Sequence, residues 1–506
     1  MKYDVIVIGG GLGGLMAGIT AAKRGKKTVL LEKHVRVGGL AAGFTRKGYY
    51  FDAGMSRCMG ASIRPFLKEI GILEQADLRP QRAIWNIEGQ WIDYDRLDCF
   101  FDGLAECFPE ERNALHTLYA RAVRSKDELF DLMFTDTGAM PALQRRLHML
   151  HLLVSMPAIM KGMSSKMMEK DALGKYLDRS GRAFAFLAEK EDEVDYRGEM
   201  TFVTKVGKWY TQMFNVYPAA GFQGLADAMA AVLTAHGGEV RTSTPVSQVR
   251  VENGRAVGVE VQSHGASETL DTDNIICCID LHKAVYQLIG AQHVDADFVA
   301  NLDKSRLSYA IPLLFLGVNV PPQRIRECFQ GREEVMYYPA IEPSQGEAFF
   351  SDHPLVVHSS CLHNPNHAPA GKSTLQVYLS CPPADWMDHW GVQDGKRTER
   401  YKLIKEMVIG QVLGALETLI PELDDRSLIQ VCELGTPFTI ERYTGSTDGS
   451  GLGFRMDEDY IHPKRMGKYL ERCPGVENLY FAGQQAGYPG GVGTALGSGK
   501  HAGELV

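Results

Sequence analysis

Residues Asp4-Val5-Ile6-Val7-Ile8-Gly9-Gly10-Gly11-Leu12-Gly13-Gly14 open the chain, and a second apolar run, Thr28-Val29-Leu30-Leu31, is closed by Glu32. An apolar strand, a glycine turn, a helix and a second strand ending on an acid form the pattern of a dinucleotide-binding βαβ unit. Each residue type has a physical reason. Gly9 permits the tight turn, Gly11 lets the backbone approach a pyrophosphate, and Gly14 lets the helix pack close to the strand. Leu12 and Gly13 begin the helix, whose free N–H groups face the anion. Glu32 is placed to accept hydrogen bonds from an adenosine ribose.

The segment after Glu32 decides which dinucleotide is expected. Glu32-Lys33-His34-Val35-Arg36-Val37-Gly38-Gly39-Leu40-Ala41-Ala42-Gly43-Phe44, then Gly48-Tyr49-Tyr50-Phe51-Asp52-Ala53-Gly54, resembles the extended FAD signature of the amine oxidase and phytoene desaturase superfamily. The resemblance implies that Lys33 lies in the cofactor site, that Gly38, Gly39 and Leu40 make a second approach to the diphosphate, and that Phe51 to Gly54 return the chain beneath a flavin. The other end of the chain matches independently. Asn478-Leu479-Tyr480-Phe481-Ala482-Gly483 reads as a buried strand, and Gly490-Gly491-Val492-Gly493 opens a small-residue helix, Thr494 to Leu505. In the superfamily that strand passes the ribityl chain, and the helix N-terminus at Gly491 and Val492 points at the flavin pyrimidine, where its dipole favours negative charge. The bland reading of the same glycines and alanines is tight helix packing.

The middle of the chain narrows the likeness. Tyr217-Pro218-Ala219-Ala220-Gly221-Phe222-Gln223-Gly224-Leu225 leads into a helix, and strands Val249 to Glu252 and Ala256 to Val261 flank an Asn253-Gly254 turn. This resembles the carotenoid desaturases, whose counterpart of Val246 holds adenine through its backbone. Thr436-Pro437 with Glu441-Arg442-Tyr443-Thr444-Gly445 is similar to the retinol saturase and carotene isomerase branch. One departure stands out: where many related FAD enzymes carry an acid after the strand glycine, Gly483 is followed by Gln484 and Gln485. Glutamine still donates and accepts hydrogen bonds, so Gln484 is read as a branch marker at the ribityl chain.

The expected architecture is therefore α/β: a Rossmann-type, glutathione-reductase-like FAD-binding domain interleaved with a mixed-sheet substrate domain carrying a helical cap. A chain of 506 residues exceeds a single compact core. Residues 1–75, 215–290 and 430–506 are assigned to the FAD-binding domain, and 76–214 and 291–429 to the substrate domain. Runs Leu307 to Val318, Val335 to Tyr338, Leu355 to His358 and Thr374 to Leu379 supply its sheet. Net charge is −8 with scattered basic residues, which argues against a nucleic-acid partner. The ten cysteines form no CxxC and no metal-ligand spacing, so no metal is expected and reduced thiols are. With a strand already under way at Asp4 there is no room for a targeting segment, and a cytoplasmic location is expected. The methionine-rich stretch from Arg145 to Lys170 reads as cap helices, with a peripheral membrane-surface segment as the alternative.

The reaction class derives from the flavin. No Gly-x-Ser-x-Gly elbow is present, whereas a flavin moves a hydride or electrons by itself. The resemblance implies an FAD-dependent oxidoreductase acting on C–C or C=C bonds of a hydrophobic, carotenoid- or isoprenoid-like substrate by desaturation, saturation or cis–trans isomerisation. A flavin amine oxidase and a non-catalytic, membrane-associated flavoprotein are the alternatives. With no second dinucleotide motif in strand-helix context, the electron acceptor or donor is expected to be a quinone, dioxygen or a redox protein. No catalytic acid or base is assigned. His148, His151, His358, His363 and His367 fall in substrate-domain segments and His501 in the last helix, and structural roles are the expected reading for most of them.

Overall fold

The computed structural model describes residues 2–125, 143, 146, 147, 150, 174, 176–187 and 214–506, less 264–265, 309, 340–354, 380–389, 456–459, 463–468 and 488–489. Most of the 145–170 stretch, with His148 and His151, lies outside the described residues.

The strand Lys2–Ile8, buried and apolar from Val5 to Ile8, lies between two parallel neighbours, Thr28–Leu31 and the far half of Ala266–Cys277. Glu239–Arg241 extends this sheet on one side and Leu479–Phe481 on the other, both parallel. Strand Ala266–Cys277 changes partners along its length. Its first half pairs antiparallel with Arg255–Ser263, which continues through the Asn253-Gly254 turn into Val246–Glu252, while Ile275 to Cys277 pair with Leu479 to Phe481. Both faces are buried, as expected of a parallel sheet. One core holds the helices Leu12–Lys23, Gly221–Ala235 and Val492–Leu505; the other holds the meander and Ala296–Lys304. Val492–Leu505 begins two residues before the expected start at Thr494.

The second sheet has the order Ile429–Gly435, Leu313–Val318, Ser373–Tyr378, Leu355–His358, Glu334–Tyr338, Ala83–Ile87, Gln90–Asp93. Its first long strand starts at Leu313 and not at Leu307, because Pro312 has no N–H to give to a ladder; Leu307 and Ala310 make only single bridges, to Phe454 and Ser450. Strand Ile429–Gly435 pairs with Leu313–Val318, so residue 430, expected to open the last FAD-binding segment, sits inside this sheet.

Residues in register share a face of a sheet. On one face Val335, Val357, Val377, Leu314 and Leu434 form a continuous apolar row under the helix Glu399–Leu419. The opposite face carries a polar row, Glu334-His358-Gln376, and next to it Trp85-Met336-Val356-Tyr378. Trp85 and Met336 share a core with Phe100, Phe101, Leu104 and Leu187 from the helical cap.

Candidate cofactor and substrate site

The glycine turn after Lys2–Ile8 is shaped by close backbone approach. A Cβ on Gly14 would collide with the carbonyl oxygen of Gly9, whose φ is +101°. Above Gly11, by contrast, a Cβ would meet nothing within 4 Å. Gly11 is the N-cap of Leu12–Lys23, no side chain caps that end, and no acid occupies its first turn. The helix therefore presents an uncompensated positive end to open space, as an anion site requires. Gly38 donates its N–H to the carbonyl of Gly10 at 2.8 Å and bridges Gly11, and the Cβ position of Gly39 lies 3.2 Å from Gly11 Cα. The two glycine turns are thus stacked, and a side chain on either would block the approach. Gly54 packs against Leu40, its Cβ position 2.8 Å from the Leu40 carbonyl oxygen.

Glu32 is 6% exposed and already engaged: Oε2 accepts from Gly10 N–H at 2.7 Å and Oε1 from His34 N–H at 2.8 Å. Each carboxylate oxygen keeps a second lone pair, so a ribose hydroxyl would be accepted beside these bonds. Thr244 N–H donates to the Glu32 carbonyl at 2.8 Å, which brings Val246, at the start of its strand, to the same end of the cradle. Lys33 stands beside Gly445, and desolvation with the like charge of Lys283 holds its pKa below the ordinary lysine value.

The C-terminal glycines divide into two groups. Cβ atoms on Gly499 and Gly13 would strike, respectively, the Gly13 carbonyl and Gly483 Cα, so these glycines bring the first and last helices into backbone contact, the packing role. Gly483, at φ +105°, is tied by its N–H and carbonyl to Ser498 Oγ, both at 3.0 Å. Gly491 differs. It caps Val492–Leu505 at φ +110° without a side-chain cap or a first-turn acid, and the nearest atom to its Cβ position is Leu452 Cδ2 at 4.0 Å. Gln484 is half-buried at the turn. Gln485 is structural, accepting from Leu281 N–H at 2.7 Å and donating to Asp280 at 2.9 Å. Two uncapped helix ends and stacked glycine turns with open space above Gly11 suit the negative charge of a dinucleotide diphosphate.

Between this cradle and the second sheet lies a polar junction that the sequence did not announce. Asp52 is fully buried and accepts from Tyr50 and Tyr217 hydroxyls, both at 2.6 Å, and from Phe222 N–H at 2.9 Å. Burial outweighs these donors and pushes its pKa up to about 6. The Gln376 amide reads the Asp52 backbone in both directions, accepting from its N–H at 3.0 Å and donating to its carbonyl at 2.8 Å. Tyr217 is surrounded by imidazoles: His363 stacks on it at 4.8 Å, with His358 at 5.2 Å and His367 at 6.4 Å. Burial keeps all three neutral, His363 and His367 pushed down to about 4 and His358 well below its usual value. Gln81 links them, donating to His358 Nδ1 at 2.8 Å and to Glu334 Oε2 at 3.2 Å while its oxygen accepts from His363 Nε2. Asp52 and Tyr217 stood inside motifs whose glycines drew the reading; Gln81, Glu334 and Gln376 carry no local signal. His501 pairs with Glu471 at 2.9 Å on the surface.

The chain is 26% identical over 478 residues to a chloroplastic prolycopene isomerase of Daucus carota, covering 89% of this chain and 71% of that protein. It is 23% identical over 541 residues to an all-trans-retinol 13,14-reductase of Danio rerio, covering 97% and 84%. A 4,4'-diapophytoene desaturase of Methylomonas sp is 23% identical over 474 residues, covering 88% and 84%. Among solved structures, putrescine oxidase bound to putrescine matches with TM-score 0.62 at 15% identity over 100% of this chain and 99% of that one. Cyclohexylamine oxidase of Brevibacterium oxydans gives 0.58 at 14% identity over 100% and 98%. Both share the α/β fold with its mixed sheet. Residues 12–506 match the family model of flavin containing amine oxidoreductases, and the chain belongs to that family of FAD-binding oxidoreductases.

Proposed function

We infer that the enzyme acts on C–C or C=C bonds of a hydrophobic, isoprenoid-like substrate, by desaturation, saturation or cis–trans isomerisation. One observation supports the reading: on the cap side of the second sheet Trp85, Met336 and Tyr338 pack with Phe100 and Phe186 into an aromatic and thioether core, an apolar surrounding of the kind a polyene takes. The curated relatives named for polyene chemistry run along nearly the whole chain and so support it, whereas the amine oxidase structures share only the fold. When bound, FAD supplies hydride or electron transfer at its ring. Gly9 to Gly14, Gly38, Gly39, Leu40, Gly54 and Glu32 would hold the dinucleotide, with Lys33 and Val246 at the adenosine end. Gly483, Gln484, Gly491 and Val492 would lie along the ribityl chain and ring.

A quinone, dioxygen or a redox protein would exchange the electrons. Delivery from a membrane surface suits such a substrate: Leu143, Leu147 and Leu150, at helical spacing, are 72%, 59% and 60% exposed. No described helix is long and apolar enough to cross a membrane.

Anaerobic mixing tests the reading. Polyenes that bleach the oxidised enzyme indicate desaturation, polyenes that reoxidise the reduced enzyme indicate saturation, and a product of unchanged mass indicates isomerisation. Bleaching by amines and by no polyene would overturn it.

A further inference from the structure

Residues 445–453, which follow the motif Glu441 to Gly445, join neither large sheet. Three contacts set their course instead. At the near end His34 Nε2 bonds the Tyr443 carbonyl, and the Cβ position of Gly445 lies 3.1 Å from Lys33 Nζ, so the segment starts beside Glu32. In the middle Thr447 donates its N–H and its hydroxyl to the Asp280 carboxylate at 3.0 and 2.7 Å. Asp280 stands two residues beyond Cys278, whose carbonyl oxygen lies 3.1 and 3.6 Å from the Cβ positions of Gly9 and Gly483. At the far end Leu452 meets the last helix: a Cβ on Gly490 would strike its carbonyl oxygen, and its Cδ2 is 4.0 Å from the Cβ position of Gly491. The segment thus runs the length of the cradle, from Glu32 past Gly9 and Gly483 to Gly491.

Leu452 is the only apolar side chain in this stretch, Gly-Ser-Thr-Asp-Gly-Ser-Gly-Leu-Gly, and it is 39% exposed. Its backbone is pinned. The Leu452 N–H donates to Ser308 Oγ at 2.9 Å, and the Ser308 and Ser450 hydroxyls bond each other at 2.8 Å. The Gly453 carbonyl accepts from Ser308 N–H at 2.7 Å and from Ser450 Oγ at 2.9 Å, and Gly453 itself turns at φ +86°, which only glycine adopts without strain. No shift of the loop can draw the side chain inward without breaking these bonds. A lone exposed leucine is ordinary on a protein surface. One fixed beside the uncapped helix end at Gly491 is placed where a ligand would cover it. Its methyl groups gain when an apolar surface meets them, and the face of a flavin ring is such a surface.

We propose that residues 445–453 form a strap along the bound dinucleotide and that Leu452 packs on the flavin ring, so that the chain holds FAD by a contact that a fragment without the ring cannot make. This rests on the reading that places the ring at Gly491.

Calorimetric titration of the full chain freed of FAD, with FAD and separately with ADP, tests it. ADP carries the adenosine and the diphosphate and lacks the ring. Leu452→Ala is expected to weaken FAD binding about five- to tenfold, the loss of one or two buried methyl groups, and to leave ADP affinity in place. Leu452→Met, which restores the apolar volume, should recover most of that loss. If Leu452→Ala does not fold, Leu452→Gln, which keeps the volume and adds a polar end, is read in its place. Gly491→Leu fills the space beside Leu452 and should also weaken FAD while sparing ADP. Equal losses of FAD and ADP in the Leu452 variant overturn the proposal, because the side chain then supports the loop and not the ring. Unchanged FAD affinity in that variant overturns the proposal alone if Gly491→Leu still loses FAD selectively, and together with the placement of the ring if it does not.

Discussion

Replacing Glu32 by alanine separates two jobs that one carboxylate performs. In the protein without cofactor, Glu32 accepts the Gly10 and His34 N–H groups at 2.7 and 2.8 Å in a site that is 6% exposed. Each donor stranded by Glu32→Ala costs about 1–3 kcal/mol, so the apoprotein should lose about 2–6 kcal/mol of stability. If the ribose also leans on Glu32, FAD affinity falls by a further factor of about ten to a hundred. Urea unfolding of the apoprotein reads the first loss. FAD titration under native conditions reads the second. Glu32→Gln sharpens the contrast, since one amide oxygen serves either Gly10 or His34 and the NH2 group opposes the other donor. A fall in apoprotein stability with FAD affinity unchanged would show that Glu32 serves only the turn, and refute the ribose contact. Unchanged apoprotein stability would refute the anchoring argument itself.

Gly11→Val places its methyls in the open space above the first turn, so the apoprotein should unfold like the native chain while FAD binding is lost; calorimetry with FAD titration checks both. Gly499→Val, in contrast, meets the Gly13 backbone and should cost about 1–3 kcal/mol whether or not FAD is present. Near pH 5 unfolding exposes His358, His363 and His367, which then bind protons, while Asp52, held at about 6, releases the one it kept in the folded state. The net uptake of about two protons lowers stability by about 2.7 kcal/mol per pH unit on acidification; urea midpoints should give that slope and about half of it in His363→Asn, and a flat profile would refute the neutral-histidine assignment. At Gly491, φ +110° strains any other residue, so Gly491→Ala should move the helix end from the ring and lower the flavin midpoint potential; an unchanged or raised midpoint in potentiometric titration would place that helix elsewhere.

The glycine turns were legible because a backbone that must come close to another surface leaves glycines in the sequence. Gly9, Gly14, Gly38 and Gly39 were readable one by one, and the structure adds which surface each glycine meets. At the C-terminus the two readings fall on different glycines: Gly499 packs against Gly13, whereas Gly491 is open. The strands of the second sheet were visible as β-branched runs, but which strand a run pairs with is not written in the run. Ile429–Gly435 joined Leu313–Val318, more than a hundred positions away, because its apolar residues complete the row over the long helix.

The polar junction was illegible for a stronger reason, and that reason bears on mechanism. Glu334, His358 and Gln376 lie on three strands and become neighbours only through register; a slip of one residue would send all of them to the opposite face. Read singly, His358, His363 and His367 were expected to be structural for the most part, with no stated partner. Read together they are neutral and buried, and they fill the space around Tyr217. A base must reach the proton it takes, and a histidine held near a pKa of 4 or lower binds protons poorly at neutral pH. These imidazoles therefore serve by shape and hydrogen bonding, through Tyr217 and the Gln81 amide that orients Glu334. Asp52 completes the junction: its side chain holds the start of Gly221–Ala235 through Phe222 N–H, and its backbone is held by Gln376 of the second sheet. One residue from the segment that resembles the FAD signature thus ties the glycine turns to the second sheet.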